Sequence, residues 1–289
     1  MPSEQIGSAL RASSVVPVLL AMLIAAVLSF ASTPLVKTLS VKVGAIDVPR
    51  DNRRMHDHPI PRMGGLAIFL GFVISVVLLL PLDPPKQGML LGSVMIVILG
   101  IFDDIYALPA KLKFVVQIAA ALVAVLSGNR IQVLSNPNIF SDNPVWQLGW
   151  LSIPVTLIWI VAITNAVNLI DGLDGLACGV STISSVTMLV IALLVSEEDV
   201  AVMMGALAGA CIGFLPYNLN PAKIFMGDTG ATFLGYILAT VSVEGMFKLP
   251  TIISFVVPFL MLGLPIFDVT FAVIRRLLRG QSPMSPDRS

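Results

Sequence analysis

The run Val15-Val-Pro-Val-Leu-Leu-Ala-Met-Leu-Ile-Ala-Ala-Val-Leu-Ser-Phe-Ala-Ser-Thr-Pro-Leu-Val36 contains no charged residue. A helix needs about 20 mostly apolar residues to cross the hydrocarbon core of a bilayer, so this run predicts a transmembrane helix. It is longer than the apolar core of a signal peptide, and Arg11 is the only basic residue before it. We therefore expect the segment to be retained rather than cleaved.

Similar apolar runs recur along the chain and predict about nine transmembrane helices in total. The others are Gly64–Leu82, Gly88–Phe102, Phe114–Ser127, Gly149–Ile170, Leu176–Val195, Val200–Leu219, Gly230–Val243 and Thr251–Ile274. The 289 residues are 56% hydrophobic and only 12% charged, about half the charge of a soluble domain. This composition excludes a soluble globule, a disordered chain and a nucleic-acid binder. It predicts an all-α polytopic integral membrane protein, with residues 1–289 as a single domain.

The basic residues predict how the helices are oriented. If the loop after the first helix is cytoplasmic, only Arg11, Lys86, Arg130 and Lys248 of the 17 basic residues lie outside. Cytoplasmic loops of membrane proteins carry an excess of Lys and Arg, so the N-terminus is predicted outside. The segment Asn136–Pro144 then becomes an outside turn or a small hairpin.

Polar residues recur at every third position through the end of the fifth apolar run and just beyond it: Asn165, Asn168, Asp171 and Asp174. Residues three apart share a face of a helix, so the spacing predicts one polar stripe. Two carboxylates on one face repel each other and are costly near lipid, unless a cation or hydrogen-bond donors meet them. Gly172 and Gly175 let the chain bend and let a ligand approach. The alternative is polar contact between helices.

Two further acidic positions lie at predicted cytoplasmic helix ends. Asp103 and Asp104 follow the third apolar run, and Asp228 precedes the eighth. Adjacent residues on a helix point about 100° apart, so Asp103 and Asp104 cannot both face one partner squarely. Taken alone, the pair could simply end a span, and Asp228 or Thr229 could simply cap the following helix.

Arginines cluster in the first predicted cytoplasmic loop. Arg53, Arg54 and Arg62 stand among Pro and Gly just before a helix, where an anion site is plausible. Carboxylates and amides that face phosphates favour Mg²⁺ over zinc. The combination suggests phosphoryl transfer from a soluble phosphorylated donor to a lipid acceptor at the membrane face.

Four segments resemble the motifs of a known family. They are Pro59-Ile-Pro-Arg-Met-Gly-Gly65, Asp103-Asp104, Asn165-Ala-Val-Asn-Leu-Ile-Asp-Gly-Leu-Asp-Gly-Leu-Ala177 and Phe225-Met-Gly-Asp-Thr-Gly230. The chain resembles the polyprenyl-phosphate N-acetylhexosamine-1-phosphate transferases, glycosyltransferase family 4, and looks more like the GlcNAc-1-phosphate branch than the MurNAc-pentapeptide branch. The resemblance implies transfer of GlcNAc-1-phosphate from a UDP-sugar to undecaprenyl phosphate in the bacterial inner membrane. UMP is released, and a lipid-linked cell-envelope glycan is initiated.

The resemblance also implies roles for individual residues. Asp103 is expected to deprotonate or orient the lipid phosphate with Asp104 beside it, and Asp228 to bind Mg²⁺, or Mn²⁺ in its place, with Asn168 as a second ligand or a contact of the diphosphate. An aspartate that acts as a covalent nucleophile is the alternative to direct attack by the lipid phosphate. The remaining residues are expected to bind substrate: Arg62, Lys113, Asn165, Asp171, Asp174, Asn218, Phe225, Arg275 and Arg276. The expected partners are a UDP-N-acetylhexosamine, a polyprenyl phosphate in the bilayer and a second copy in a homodimer.

The chain departs from the family pattern in two places. Ala231 stands where Ser is common, and the sequence stops at Ser289, before a His-rich motif and one or two further helices that the family usually has. We therefore expect the chain to lack that motif. Two other functional classes stay open: an ion-coupled transporter with Asp103, Asp171 and Asp228 as a relay, and an intramembrane aspartic protease.

Overall fold

A computed structural model describes residues 2–48, 58–135 and 145–245 of the chain. Over these ranges the chain forms eight α-helices, two pairs of short antiparallel strands and one turn of 3₁₀-helix at Gly149–Leu151. The elements are α1 (Pro2–Val43), β1 (Ile46–Asp47), β2 (Ile60–Pro61), α2 (Gly65–Leu79), α3 (Pro84–Tyr106), α4 (Ala110–Leu126), β3 (Val133–Ser135), β4 (Val145–Gln147), α5 (Ser152–Ile170), α6 (Leu176–Leu194), α7 (Glu198–Asn218) and α8 (Gly227–Gly245).

Each of the first eight predicted apolar runs coincides with a helix, which confirms a mostly helical, multi-pass membrane protein. Five segments of the described chain are long and apolar enough to cross a membrane, and α2 is apolar but shorter. The five are Val15–Val43, Pro84–Tyr106, Gly149–Ile170, Leu176–Leu194 and Glu198–Asn218. The predicted ninth helix, Thr251–Ile274, lies outside the described residues.

The predicted turn or small hairpin is confirmed as a hairpin by the pairing of β3 with β4, while its place outside the membrane stays a prediction. Val133 pairs with Gln147 and Ser135 with Val145 in an antiparallel register. The segment between these strands, Asn136–Pro144, lies outside the described residues.

Helix α3 is longer at both ends than the predicted Gly88–Phe102. Asp83 caps its start by accepting the Lys86 backbone N–H at 3.0 Å, and prolines occupy the first helical positions. Proline suits the first turn because the backbone N–H it lacks has no helical partner there. The last helical residue is Tyr106, and the C-cap residue Ala107 adopts a left-handed conformation with φ of 52°. Asp103 and Asp104 consequently lie within its last turn rather than after it.

Helices α7 and α8 form the centre of the bundle, and nearly all of their described side chains are buried. Helix α8 packs against α2, α3 and α5, while α7 packs against α1, α2 and α6. The buried hydroxyl of Thr240 donates to the Tyr236 carbonyl of its own helix at 2.8 Å. Thr232 and Ser242 likewise donate to carbonyls of α8, so these hydroxyl groups are satisfied within the helix, as a membrane interior requires.

A line of glycines allows α1 and α7 to pack closely. Gly205, Gly209 and Gly213 recur every fourth residue on α7 and share one face. A Cβ atom at Gly209 or Gly213 would collide with the backbone of α1 at Met22 or Ala26. Small residues at this spacing let membrane helices approach until their backbones are in van der Waals contact.

The end of the bundle remote from the predicted motifs carries a buried cation. Lys86 on α3 is only 1% exposed, and its Nζ donates to the Asp83 carboxylate and, at 2.7 Å, to that of Asp199 on α7. The ion pairs join the N-terminal ends of α3 and α7. They satisfy a charge that would otherwise be costly to bury.

The helix packing predicts a contrast between two glycine substitutions. Gly209→Ala should destabilise the bundle by roughly 1–3 kcal/mol, because the added methyl group must separate α1 from α7. Thermal unfolding in detergent measures the change. Gly179→Ala on α6 is the matched control, since its Cβ meets no atom within 4 Å and Ala favours a helix. Equal melting temperatures for the two variants would contradict the close α1–α7 contact.

Candidate active site at the polar end of the bundle

The polar stripe predicted for α5 is interrupted, because α5 ends at Ile170. Asn165 and Asn168 lie in its last turns, whereas Asp171 and Asp174 lie in the five-residue connection to α6. The prediction of one continuous helical face was therefore wrong. The helical path ends at Asp171, whose ψ is 52°, and Gly175 precedes α6 with a φ of +72°, a conformation that non-glycine residues rarely adopt.

Asp104 lies at the centre of the polar end, and its carboxylate is fully buried. Its Oδ1 accepts from Arg62 Nε and from the Asp228 backbone N–H, both at 3.0 Å. Its Oδ2 accepts from the Thr229 backbone N–H at 3.1 Å and from Thr229 Oγ1 at 2.6 Å. One side chain of α3 therefore binds the first turn of α8 and the segment before α2.

Lys113, in the first turn of α4, joins the two other carboxylates of this region. Its Nζ donates to Asp103 Oδ2 and to Asp228 Oδ2, both at 2.9 Å. Asp103 Oδ1 also accepts the Leu108 backbone N–H at 2.7 Å, which fixes its orientation. The Asp103 side chain is 5% exposed, but those of Lys113 and Asp228 are about one quarter exposed. The bridge is thus accessible to a ligand.

Backbone hydrogen bonds fasten the two remaining motifs together. The Phe225 N–H donates to the Pro61 carbonyl at 2.8 Å, and the Gly64 N–H donates to the Phe225 carbonyl at 2.9 Å. The Gly65 N–H donates to the Met226 carbonyl at 2.9 Å, and Arg62 forms an isolated parallel β-bridge with Phe225. The Pro59–Gly65 segment and the Phe225–Gly230 segment therefore form one backbone assembly.

Glycines leave the space that this assembly needs. A Cβ at Gly65 would collide with the backbone of Gly230, and one at Gly100 would collide with that of Thr229. Gly227 has a φ of +71°, and a Cβ there would lie 2.7 Å from Asp104 Oδ1. The start of α8 consequently fits between α2 and α3 because no side chains intervene.

Two residues predicted to bind nucleotide support the loop between α7 and α8. Asp174 Oδ2 accepts from the Ala222 backbone N–H at 3.0 Å and from Asn220 Nδ2 at 3.2 Å. Asn218 Nδ2 donates to the Ile224 carbonyl at 3.1 Å, and its buried Oδ1 has no hydrogen-bond partner among the residues that the structure describes. Both side chains hold the loop that carries Phe225.

Asn165 and Asp171 differ in their surroundings. Asn165 Nδ2 donates to Gln117 Oε1 at 2.7 Å, one helical turn along α4 from Lys113. Asp171 lies near Asp228 and Asp104, and burial together with these negative charges raises its pKa to about 7. The raised pKa means that Asp171 can take up a proton near neutral pH.

The structure brings six of the predicted site residues into one connected group: Arg62, Asp103, Asp104, Lys113, Phe225 and Asp228. Asn168 lies in the adjoining end of α5, and Arg275 and Arg276 lie outside the described residues. Thr229 was not among the predicted site residues, although it contributes two donors to Asp104. Its place inside Phe225-Met-Gly-Asp-Thr-Gly230 was the available signal.

No group of three or more His, Cys, Asp and Glu side chains converges as a metal site within the described residues. Mg²⁺ does not need such a group, because it is commonly held by one or two carboxylates together with substrate phosphates and water. The partly exposed carboxylate of Asp228 fits that mode of binding. Its neighbours include the acidic Asp103, Asp104 and Asp171 as well as the cations Lys113 and Arg62, so acidic groups outnumber basic ones and a divalent cation fits the local charge.

Comparison with known proteins gives results that agree with the arrangement of these motifs. The model of glycosyl transferase family 4 matches residues 87–246. A Bacillus subtilis (strain 168) protein named probable undecaprenyl-phosphate N-acetylglucosaminyl 1-phosphate transferase is 45% identical over 258 residues, which cover 89% of this chain and 71% of that protein.

Two further relatives extend the comparison. The decaprenyl-phosphate N-acetylglucosaminephosphotransferase of Mycolicibacterium smegmatis is 35% identical over 92% of this chain and 72% of its own length. The phospho-N-acetylmuramoyl-pentapeptide-transferase of Caldicellulosiruptor bescii is 34% identical over 67% of this chain and 62% of its own length. From the matched family model and the extent of these similarities, the chain belongs to glycosyl transferase family 4.

Proposed function

We propose that this protein transfers N-acetylglucosamine 1-phosphate from a UDP-sugar to a polyprenyl phosphate, such as undecaprenyl phosphate, and releases UMP. The observation that carries the proposal is the bridge from Asp103 through Lys113 to Asp228, built from the family's motifs at one end of a membrane bundle. The 45% identity to a protein named for this activity supports it.

In the proposed reaction, an oxygen of the lipid phosphate attacks the β-phosphorus of the UDP-sugar. The bond from that phosphorus to the oxygen bridging to UMP breaks, and UMP carries away the electron pair. Nucleophile and electrophile are both anionic, so lowering their repulsion is the main task of the site. The ammonium of Lys113 is placed to do this, because it is partly exposed and fixed by two carboxylates.

Asp103 has two possible parts in this step. It can hold Lys113 and so orient the lipid phosphate, or it can accept a proton from that phosphate at Oδ2. Its Oδ1 accepts from the Leu108 N–H and its Oδ2 accepts from Lys113, so Oδ2 is the oxygen on the side of the proposed phosphate site.

We further propose that Mg²⁺, or Mn²⁺ in its place, is held by Asp228 and Asn168 together with the donor's phosphates. The connected group contains Asp103, Asp104 and Asp228 against the cations Lys113 and Arg62, and Asp171 lies nearby. This excess of negative charge favours a divalent cation. When bound, the metal neutralises the diphosphate as charge moves to the leaving UMP.

The nucleotide is proposed to bind beside Phe225, whose backbone is fastened between Pro61 and Gly64. A ring on a fixed backbone can stack on uracil at little entropic cost. Asp171, Asp174 and Asn218 would shape the wall of this pocket, with Arg62, Asn165, Arg275 and Arg276 as further donor contacts.

The site is proposed to face the cytoplasm of a bacterial cell, in the inner membrane, with the N-terminus outside and about nine helices. The basic residues retained on the predicted inner side support this orientation. A homodimer stays a prediction from the family resemblance.

The other functions have less support. An aspartic protease would leave the polar residues Asn165, Asn168, Asp171 and Asp174 without a role, and the relatives found are named as transferases. The MurNAc-pentapeptide donor is favoured only by relatives of lower identity.

The proposal predicts a lipid-linked product. Purified protein with Mg²⁺, labelled UDP-GlcNAc and undecaprenyl phosphate should form an organic-extractable sugar and release UMP. Asp228→Asn should lower this rate about 100-fold or more, since the variant loses the charge that binds metal and Lys113. Glu198→Gln, at the far end of the bundle, is the control and should keep activity. Product formed only from UDP-MurNAc-pentapeptide, or normal activity in Asp228→Asn, would refute the proposal.

Metal removal provides a separate prediction. Activity should disappear in EDTA and return on addition of Mg²⁺ or Mn²⁺. The carboxylates are themselves negative, so the metal ion must supply the positive charge that neutralises the diphosphate. Transfer that is undiminished after exhaustive chelation would exclude a metal at Asp228.

Lys113 can be tested by changing its charge. Lys113→Met should reduce kcat about 100-fold, because the variant leaves Asp103 and Asp228 without their shared cation. Lys113→Arg should recover part of the rate, since the positive charge is kept. The matched control is Lys111→Met, an exposed lysine in the same turn of α4. Similar rates for Lys111→Met and Lys113→Met would argue against a specific role for the bridge.

A further inference from the structure

We infer that Asp104 is a positioning residue, which caps α8 from the neighbouring helix α3 and thereby holds Asp228 against Asp103 and Lys113. This inference rests on the proposed function and assigns a different role from the catalytic one that the family resemblance suggests. Under this inference Asp103, Lys113 and Asp228 contact the substrate, whereas Asp104 only holds Asp228 in position.

The hydrogen bonds of Asp104 leave no room for a substrate. An ionised carboxylate offers about four acceptor sites, two on each oxygen. Asp104 uses all of them, for Arg62 Nε, the Asp228 N–H, the Thr229 N–H and Thr229 Oγ1. Its side chain has no exposed surface. A phosphate or metal could reach it only after several of these bonds were broken.

The donors come from a place where a helix needs an acceptor. The first backbone N–H groups of any helix lack intrahelical partners, and the helix dipole favours negative charge beside them. In α8 the negative charge comes from α3 rather than from the residue before the helix. The start of α8 is therefore fixed relative to α3, and Asp228 is part of that first turn.

The side chains of Asp103 and Asp104 point in different directions from α3. Adjacent helical residues point about 100° apart. Asp103 accordingly faces α4 and meets Lys113, while Asp104 faces α8 and meets its first turn. Asp103 and Asp228 then share Lys113 because Asp104 sets the distance between α3 and α8. Gly100 and Gly227 permit this distance, since a Cβ at either position would collide with the opposite partner.

Thr229 provides the sharpest kinetic test, because it hydrogen-bonds to Asp104 and is itself not predicted to bind the substrate. Thr229→Val removes one hydrogen bond while keeping the branched shape. Its kcat should fall about 10-fold, a usual size for loss of a supporting contact, with KM for UDP-GlcNAc changed less than 2-fold. Thr229→Ser keeps the hydroxyl and should restore most of kcat.

The matched control is Thr240→Val. Thr240 is a buried threonine of the same helix whose hydroxyl, within the described part of the chain, bonds only carbonyls of α8. Its kcat should stay near that of the unchanged protein. Unaltered kcat in Thr229→Val, with full loss of activity in Asp104→Asn, would overturn the inference and make Asp104 a direct participant.

A second measurement does not depend on activity. Hydrogen exchange of the Asp228 and Thr229 amides should accelerate at least 10-fold in Asp104→Asn, because the carboxylate is their acceptor, while amides of residues 233–240 stay protected. Unchanged exchange at residues 228 and 229 would overturn the positioning role. If the unchanged protein shows no transfer at all, the proposed function fails, but the exchange result still decides whether Asp104 caps α8.

Discussion

The buried carboxylate of Asp104 is the interaction on which the polar end of this protein depends. Moving an ionised carboxylate out of water costs several kcal/mol even after relaxation. Four hydrogen bonds and the guanidinium of Arg62 offset that cost here. Because those donors belong to different parts of the chain, the bonds also join α3, the start of α8 and the segment before α2. Removal of the charge would leave several buried N–H groups without an acceptor.

The two ends of the bundle handle buried charge differently. At one end Lys86 is 1% exposed and enclosed by its ion pairs. At the other, Lys113 and Asp228 keep about a quarter of their side-chain surface exposed. A charge held rigidly yet accessible is what a site for phosphate transfer requires, because the protein must stabilise charge without reorganising during the reaction. The ion pairs of Lys86 therefore join helices, whereas Lys113 and Asp228 can contact a bound substrate.

Much of the fold was predictable because hydropathy fixes where membrane helices lie, and eight of the apolar runs were found as helices. The identity of the site was also predictable in part: the motifs around Asp103 and Asp228 do meet, through Lys113. The stripe after Asn168 was predicted wrongly, because spacing alone cannot show that α5 ends at Ile170. The contact of Asp104 with the first turn of α8 was not predictable either, since it depends on how closely α3 and α8 approach each other. Glycines at 205, 209 and 213 carried a packing signal that hydropathy alone does not reveal.

The most direct test of this account is an experimental structure of the protein with Mg²⁺ and UDP-GlcNAc bound, at a resolution that locates side-chain carboxylates. The account predicts that both Asp104 oxygens still accept from Arg62, Asp228 and Thr229, while Asp228 and Lys113 turn to the metal and the phosphates. A structure in which the Asp104 carboxylate has left the first turn of α8 and contacts the metal or a substrate phosphate would contradict it.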